Sequence, residues 1–119
     1  MKTWVIEFRE QDKATFERIK SGSKTIEARA LGGPKSTKSY YDDIVVSDRI
    51  NFLCEGRKIL KEVSAVRKYQ NLEDYLNKED LENILGKGAT KHSAKETLLG
   101  FPGYKERLTE FGIVAFEIK

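Results

Sequence analysis

Residues 21–29, with the sequence SGSKTIEAR, join a predicted helix end to a predicted polar strand. Gly22 permits the positive φ of a helix C-cap, so we expect Lys24 at the start of the strand, close to the helix end. The period of two along a strand places Glu27 and Arg29 on the same side, close enough to pair. This stretch therefore predicts a junction at which two cations and a carboxylate lie close together.

The flanking sequence alternates between strand and helix patterns. The long strand pattern near the middle has apolar residues at both parities, which indicates a bend or a bulge. The predicted elements are strand 2–9, a helix between Asp12 and Gly22, strand 24–29, strand 50–54, strand 59–69, helices that start at Asn71, Asp80 and His92-Ser93, and strand 112–118. This order predicts an α+β fold, a small mixed β-barrel with short helices at its rim.

The connections between these elements also have characteristic compositions. Residues 31–39 contain Gly32-Gly33-Pro34 followed by polar residues, which predicts a mobile loop. After this loop, Ile44-Val45-Val46 is expected to return to the core, and Glu55-Gly56-Arg57 to form a tight hairpin connection. No internal repeat or long linker divides the sequence, so we predict a single domain over residues 1–119.

Composition excludes several classes of protein. Of 119 residues, 39% are apolar and 34% charged, which is typical of one soluble domain. No apolar run approaches the roughly 20 residues of a membrane helix. The charged residues within positions 1–10 do not fit a signal or transit peptide, so we expect a cytoplasmic protein. Cys54, expected as a buried small hydrophobe, is the only cysteine and His92 the only histidine. We therefore expect no disulfide, no conventional zinc site and no cofactor.

Charge is unevenly distributed along the sequence. In total, 22 basic and 19 acidic residues give a net charge of +3. Residues 69–85 hold one lysine and five acidic residues, so the other 102 residues hold 21 basic and 14 acidic ones, a net of +7. A basic face beside an acidic helical edge would steer a polyanion to one side of the molecule. The alternative is that both are solvated surface without a partner.

The motif Gly22-x-Lys24-x4-Arg29 resembles the Gly-x-Lys-x4-Arg signature of the ASCH family, whose fold is related to the PUA RNA-binding barrel. Further segments resemble the family in the same order along the chain. They are residues 44–52, with Ser47 where glycine is usual, residues 63–69 with the helix that follows them, and residues 103–106 and 111–118. The resemblance covers essentially the whole chain and implies a PUA-like barrel.

The resemblance implies two kinds of activity. ASCH domains are generally regarded as RNA-binding modules, whereas some small bacterial members hydrolyse the amide of N4-acetylcytidine, and ribonuclease activity is attributed to other relatives. In the amidohydrolase type, the motif runs Lys-Thr-x-Thr-x-Arg, and catalysis is assigned to the Lys, the second Thr and a later Glu. Lys24 and Thr25 match this pattern, but Glu27 replaces the second Thr. The later Glu has no clear counterpart, and Glu96 is the nearest candidate.

We predict that Lys24, Glu27 and Arg29 form a cleft that binds RNA or a modified nucleoside. Arg29 can stack on a base or hold a phosphate bidentately, and Glu27 can accept from a base or orient the arginine. Two crowded cations would lower the pKa of Lys24 and let it act as a base or nucleophile. Further candidate residues at the rim of the cleft are Tyr69, Lys91, His92, Tyr104 and Lys105.

Other hypotheses stay open at this point. The first is a small metal-independent amidohydrolase of an N4-acylated cytidine, or a ribonuclease, with Lys24 and Glu27 as catalytic residues. The second is a protein-interaction module that uses the acidic helical stretch 71–85. In a third, the Glu27–Arg29 pair is merely a solvated surface pair, worth roughly 0–1 kcal/mol. The binding and enzyme hypotheses both require that the three motif side chains share one concave surface.

Overall fold

The computed structural model describes residues 1–32 and 41–119, and within them the chain forms five strands and five α-helices. The strands are β1 (Thr3–Phe8), β2 (Ile26–Ala30), β3 (Arg49–Cys54), β4 (Arg57–Tyr69) and β5 (Ile113–Ile118). The helices are α1 (Lys13–Ser21), α2 (Leu72–Lys78), α3 (Leu81–Leu85), α4 (Lys91–Leu99) and α5 (Tyr104–Glu110). Short 3-10 turns lie at Glu10–Asp12 and Tyr41–Asp43.

The five strands form one mixed sheet in the order β1-β3-β4-β5-β2. β1 and β3 run parallel, and the other neighbouring strands run antiparallel. The sheet curls into a half-barrel, since the edge strands β1 and β2 do not pair with each other within the described residues. The predicted α+β class and the mixed sheet with helices beside it are thus confirmed. The sheet forms an open half-barrel and does not close into a full barrel within the described residues.

Local backbone geometry explains where the strands turn and bend. The Glu55-Gly56 turn between β3 and β4 has positive φ at both residues, 50° and 81°, as a tight two-residue hairpin requires. The register of β4 against β5 shifts between Val63 and Ala65, which is the predicted irregularity in the long strand. Ser47 has a φ of 80°, in the region that glycine favours. This backbone angle explains why the ASCH segment that residues 44–52 resemble usually has glycine at this position.

Strand β5 separates two apolar cores. Val114, Phe116 and Ile118 belong to the first core, which also contains the buried Cys54. Ile113 and Ala115 belong to the second core, which α2, α4 and α5 complete. Because successive side chains of a strand point to opposite faces, β5 is buried on both. The apolar alternation of 112–118 predicted only the first of these two cores.

Four predictions about local structure need correction or qualification. Helix α4 begins at Lys91 with Thr90 as its N-cap, since Thr90 and Ser93 form a reciprocal capping box, so the predicted start at His92-Ser93 is slightly late. Helix α5 is missing from the sequence prediction altogether. Val45 and Val46 are 57% and 53% exposed, although Ile44 is buried as expected. Most of the predicted loop 31–39 lies outside the described residues. No helix among those described is long and apolar enough to cross a bilayer.

Candidate functional site

A cleft of about 380 Å³ lies between the end of β1, strand β2 and the helices α1, α3, α4 and α5. Four of the predicted site residues line it, together with two aromatic side chains that contact Arg29. These six residues are Lys24, Glu27, Arg29, Tyr104, Phe8 and Tyr41. The three motif residues therefore share one concave surface, which is the geometric condition that both the binding and the enzyme hypotheses set.

The helix-to-strand junction holds Lys24 at the inner wall of the cleft. Gly22 ends α1 with a φ of 86°, and the backbone N–H of Lys24 donates to the Arg18 carbonyl at 3.0 Å, as the sequence predicted for this junction. The Lys24 side chain is only 3% exposed. Its Nζ donates to the carbonyls of Ile26 at 2.9 Å and Ile84 at 2.6 Å. The amine therefore ties β2 to α3.

Burial lowers the pKa of Lys24 below its ordinary value. The carboxylate of Glu27 opposes this shift, while the positive charges of Arg18 and Arg29 add to it. The direction agrees with the sequence prediction, but the main cause is removal of the amine from water and not the crowding of cations.

The Glu27 carboxylate lies between two cations and uses one oxygen for all its contacts. Its Oε1 accepts a hydrogen bond from the Ala28 N–H at 3.1 Å. The same oxygen is 3.8 Å from Lys24 Nζ and 3.6 Å from Arg29 Nε. Glu27 Oε2 and Arg29 Nε are buried and have no hydrogen-bond partner among the described residues. Such atoms are uncommon in folded proteins and call for an explanation.

The Arg29 guanidinium is permanently charged and lies close to two aromatic rings. Its guanidinium carbon is 5.6 Å from the ring centre of Phe8 and 5.5 Å from that of Tyr41, distances typical of cation–π contacts. Burial disfavours the charge, but Glu27, Tyr41 and Tyr104 outweigh burial and raise the pKa of Arg29 above the ordinary arginine value.

Helix α5 closes the other end of the cleft wall. Arg107 Nη2 donates to the Ala30 carbonyl at 2.8 Å, and its Nε donates to the Leu31 carbonyl at 3.3 Å. The same guanidinium lies 5.2 Å from the ring centre of Tyr104. Burial raises the pKa of the Tyr104 phenol, so this hydroxyl stays protonated at neutral pH. Arg107 and Tyr104 together fix the end of β2 against α5.

The structure places four of the predicted candidate residues outside the cleft: Tyr69, Lys91, His92 and Lys105. Tyr69 donates its hydroxyl hydrogen to Glu79. His92 pairs with Glu96 at 2.9 Å on the exposed surface of α4, so neither residue faces Lys24. Lys91 and Lys105 are exposed. Of the five rim candidates, the structure brings only Tyr104 to the motif.

A second ionic cluster connects β4 to the C-terminal end of α2, outside this cleft. Glu79 has only 1% of its side chain exposed, and Arg67 binds it bidentately through Nε at 2.6 Å and Nη2 at 2.8 Å. Tyr69 adds a third hydrogen bond to the same carboxylate, and Arg67 reaches Glu117 at 2.5 Å. Burial alone would raise the pKa of Glu79, but the hydrogen bonds from Arg67 and Tyr69 lower it.

Sequence reasoning gave no site role to several side chains that line the cleft, among them Phe8, Arg18 and Arg107. Phe8 fits the core face of β1 equally well, so alternation alone could not distinguish it. Arg107 lies on α5, whose existence was not predicted. The available signal was the spacing of four between Tyr104 and Leu108, which is typical of a buried helix face.

Metal ligands do not cluster in the part of the chain that the structure describes. No group of three or more His, Cys, Asp or Glu side chains there is arranged to hold a metal ion. The cleft itself offers ammonium, guanidinium, carboxylate, phenol, threonine hydroxyl and backbone groups.

Comparison with known proteins relates the chain to solved structures. The hypothetical protein PH0355 has a crystal structure with a TM-score of 0.72 and 30% identity, covering 98% of this chain and 97% of that one. PF0455 from Pyrococcus furiosus has a solution structure with a TM-score of 0.68 and 29% identity, covering 98% and 96%. No family model matches the sequence, and no curated protein matches it significantly.

An ASCH protein from Zymomonas mobilis is also similar in structure. Its crystal structure has a TM-score of 0.52 and 17% identity to this chain, covering 97% of this chain and 65% of the other. At this identity, the similarity concerns the fold alone. It agrees with the mixed half-barrel and the surrounding helices described above.

Proposed function

This chain belongs to the same family as the hypothetical protein PH0355 and has the fold of an ASCH domain, and on that premise we propose that its cleft binds a nucleoside unit, either free or within RNA. The observation that carries the proposal is the convergence of Lys24, Glu27 and Arg29 in one aromatic-lined cleft. The motif that resembles the family signature is thus also the motif that forms the cleft wall.

The size of the cleft favours a single nucleoside unit. Its volume of about 380 Å³ falls at the lower end of the roughly 300–1,000 Å³ typical of small-molecule sites. A paired helix cannot enter such a space, whereas an unstacked base from a single strand can. We therefore expect the ligand to be a free nucleoside or a splayed-out nucleotide in a single-stranded segment.

The chemistry of the lining suits the parts of a nucleotide. Phe8, Tyr41 and Tyr104 offer apolar ring surface for a base, while Glu27 and Arg29 offer hydrogen-bonding groups for its edge. Additional cations at the cleft, Arg9 and Arg107 among them, can contact phosphate. The net charge of +7 outside residues 69–85 would attract such a polyanion.

The test compares a cleft variant with an exposed control. We expect Arg29→Ala to weaken the binding of a short single-stranded RNA of mixed sequence about tenfold, because the base edge loses a charged donor. Arg49→Ala removes the same charge from an exposed position outside the cleft and should change affinity less than about twofold. Affinity can be measured by fluorescence anisotropy at several salt concentrations, with circular dichroism to verify folding. Equal affinity of Arg29→Ala and wild type would contradict the proposal.

A second candidate function is hydrolysis of an N4-acylated cytidine, favoured by the lowered pKa of Lys24. A neutral amine could act as a base in amide hydrolysis. Two observations favour binding over this chemistry. Lys24 Nζ already donates to two backbone carbonyls, and Glu96, the nearest sequence candidate for the missing acid, lies on the exposed surface of α4 with His92. The substitution of Glu27 for the second Thr also departs from the hydrolase motif.

Direct assay distinguishes the two functions. The wild-type protein is incubated with N4-acetylcytidine, and release of cytidine is followed by liquid chromatography. The binding function predicts no cytidine above the rate in buffer. Turnover that disappears in Lys24→Ala but persists in the exposed control Lys20→Ala would instead establish the amidohydrolase.

A further inference from the structure

The edge of β2 that faces away from β5 provides hydrogen-bonding groups to the cleft. Within residues 1–32 and 41–119, strand β2 pairs only with β5, in an antiparallel ladder in which Ile26 faces Glu117 and Ala28 faces Ala115. Ile118 donates to the Thr25 carbonyl at 2.9 Å, and Leu31 donates to the Gly112 carbonyl at 3.0 Å. Odd-numbered residues of β2 therefore direct their backbone groups to β5, and even-numbered residues direct theirs away from it.

Side chains of the cleft occupy most of that outward edge. Lys24 Nζ donates to the Ile26 carbonyl, and the Ala28 N–H donates to Glu27 Oε1. Arg107 donates to the Ala30 carbonyl. The Ala28 carbonyl points the same way as the Ala28 N–H, and none of the described residues donates to it. A protein acceptor is thus available at the middle of the cleft wall.

Three neighbouring groups on this wall therefore have unused hydrogen-bonding capacity. Two are acceptors, the Ala28 carbonyl and Glu27 Oε2, and one is a donor, Arg29 Nε. The Glu27 carboxylate is close to both neighbours, since its Oε1 accepts from the Ala28 N–H at 3.1 Å and lies 3.6 Å from Arg29 Nε. The wall therefore offers two acceptors and one donor to a ligand.

We propose that the cleft selects guanine among the bases, with the guanine N2 amino group donating to the Ala28 carbonyl, N1–H donating to Glu27 Oε2 and O6 accepting from Arg29. This inference rests on the proposed function and names the base that the same site takes. Guanine is the one common RNA base whose Watson–Crick edge presents two adjacent donors followed by an acceptor. Because Glu27 Oε2 and Arg29 Nε are covered in the structure, this binding mode requires both side chains to rotate toward the ligand.

The other bases match this wall less well. Adenine presents a ring nitrogen acceptor beside its amino group, and this acceptor would face the carboxylate. Cytosine offers one amino donor followed by two acceptors, and uracil offers a single N–H between two carbonyl acceptors. Each of them leaves at least one of the two protein acceptors without a donor, and an unmet buried acceptor opposes binding.

The experiment titrates the wild-type protein with five ribonucleoside 5′-monophosphates, those of guanosine, inosine, adenosine, cytidine and uridine, by isothermal calorimetry. Inosine differs from guanosine only by lacking the N2 amino group. We expect guanosine monophosphate to bind tightest, and the inosine nucleotide to bind about tenfold more weakly because the Ala28 carbonyl loses its donor. Adenosine monophosphate should bind more weakly still.

The variant arm uses matched Glu→Gln substitutions. Glu27→Gln should reduce the preference for guanosine over adenosine monophosphate about tenfold, because the amide is neutral and presents both a donor and an acceptor. Glu96→Gln, on the exposed surface of α4, should leave the preference unchanged. The wild-type panel tests the inference even where Glu27→Gln does not fold.

The outcomes separate the inference from the function on which it rests. Equal affinity for all five nucleotides, or tightest binding of a nucleotide other than guanosine monophosphate, overturns guanine selection and leaves the nucleoside-binding function standing. Failure of every nucleotide and of single-stranded RNA to bind overturns both. Guanosine preferred over inosine, with the preference lost in Glu27→Gln, supports the inference.

Discussion

Glu27 and Glu79 are both buried carboxylates that face an arginine, but their hydrogen bonding differs sharply. Glu79 receives a bidentate pair from Arg67 at 2.6 and 2.8 Å and a third bond from Tyr69. Glu27 accepts only from the Ala28 N–H, at 3.1 Å, and leaves Oε2 unpartnered among the described residues. A buried charge with all its bonds made is typical of a structural role, and one with bonds unmade indicates a binding site.

The surroundings of the two carboxylates support the same distinction. Glu79 lies where α2 packs on β4, and it joins these elements without lining the cleft. Glu27 lies on a strand whose outward edge is not covered by any other strand in the part of the chain that the structure describes. In one region the protein completes its own hydrogen bonds, and in the other we propose that a ligand completes them.

The largest expected effect in this comparison is on stability. We expect Glu79→Gln to lower the free energy of unfolding by about 2–3 kcal/mol, because the substitution removes the buried negative charge that pairs with Arg67. This lies just below the range for a broken buried pair, since 36% of the Arg67 side chain is exposed. Urea denaturation followed by circular dichroism measures the loss. Nucleotide affinity should stay within about twofold of wild type.

The matched variant Glu27→Gln provides the control. It keeps an acceptor for the Ala28 N–H, but it removes the carboxylate that offsets the buried charges of Lys24 and Arg29, which lie 3.8 and 3.6 Å away. We expect it to cost about 1–2 kcal/mol of stability, less than Glu79→Gln because Lys24 can lose its proton, while it lowers affinity. If Glu27→Gln destabilised the fold more than Glu79→Gln without changing affinity, the assignment of roles would be reversed.

An intermediate effect concerns the pH dependence of stability. Burial lowers the pKa of Lys24 in the folded state. At pH values between this lowered pKa and the ordinary lysine pKa of 10.5, the folded state therefore binds fewer protons than the unfolded state. Stability should therefore rise with pH across this window, by at most about 1.4 kcal/mol per pH unit for one proton. Measurements should stay below about pH 10, the ordinary pKa of tyrosine.

Lys24→Met tests this dependence, because it removes the titrating group and keeps a long apolar side chain. Urea denaturation of wild type and variant at pH 7, 8 and 9 should show a rise for the wild type that is smaller in the variant. Lys20→Met, on the exposed surface of α1, should behave like the wild type. Identical pH profiles for all three proteins would show that the Lys24 pKa is not lowered in the folded state.

The smallest expected effect concerns His92, a candidate in the sequence that the structure places on the surface. His92 and Glu96 are 80% and 69% exposed, and such pairs on a helix stabilise by roughly 0.3–0.5 kcal/mol. We expect His92→Ala to change stability by no more than about 0.5 kcal/mol and to leave RNA affinity and any cytidine release unchanged. A tenfold loss of affinity would bring the exposed face of α4 into the site and weaken the contrast between the cleft and the rest of the surface.

Local patterns predicted the elements on which the site is built. Gly22 marked the end of α1, and the alternation at Glu27 and Arg29 predicted their pairing, which is observed at 3.6 Å. These inferences concern neighbours within a few residues, where backbone geometry alone limits the arrangement.

Contacts between distant parts of the chain could not be predicted in this way. Lys24 donates to the carbonyl of Ile84, 60 positions later in the sequence. Arg107 reaches the Ala30 carbonyl across 77 positions, from a helix that no strong pattern indicated. Such contacts, and not local spacing, determine whether each buried carboxylate oxygen is hydrogen-bonded. The comparison of Glu27 with Glu79 depends on this hydrogen bonding.

Nuclear magnetic resonance provides the most direct test of the central claim that the β2 cleft is the ligand site. The backbone amides are assigned, and guanosine monophosphate is titrated into the wild-type protein. We predict that the largest shift changes occur at Glu27, Ala28 and Arg29, while Tyr69 and Glu79 stay within the noise. The largest changes along α4 near His92, or at the Arg67–Glu79 cluster, would contradict the account.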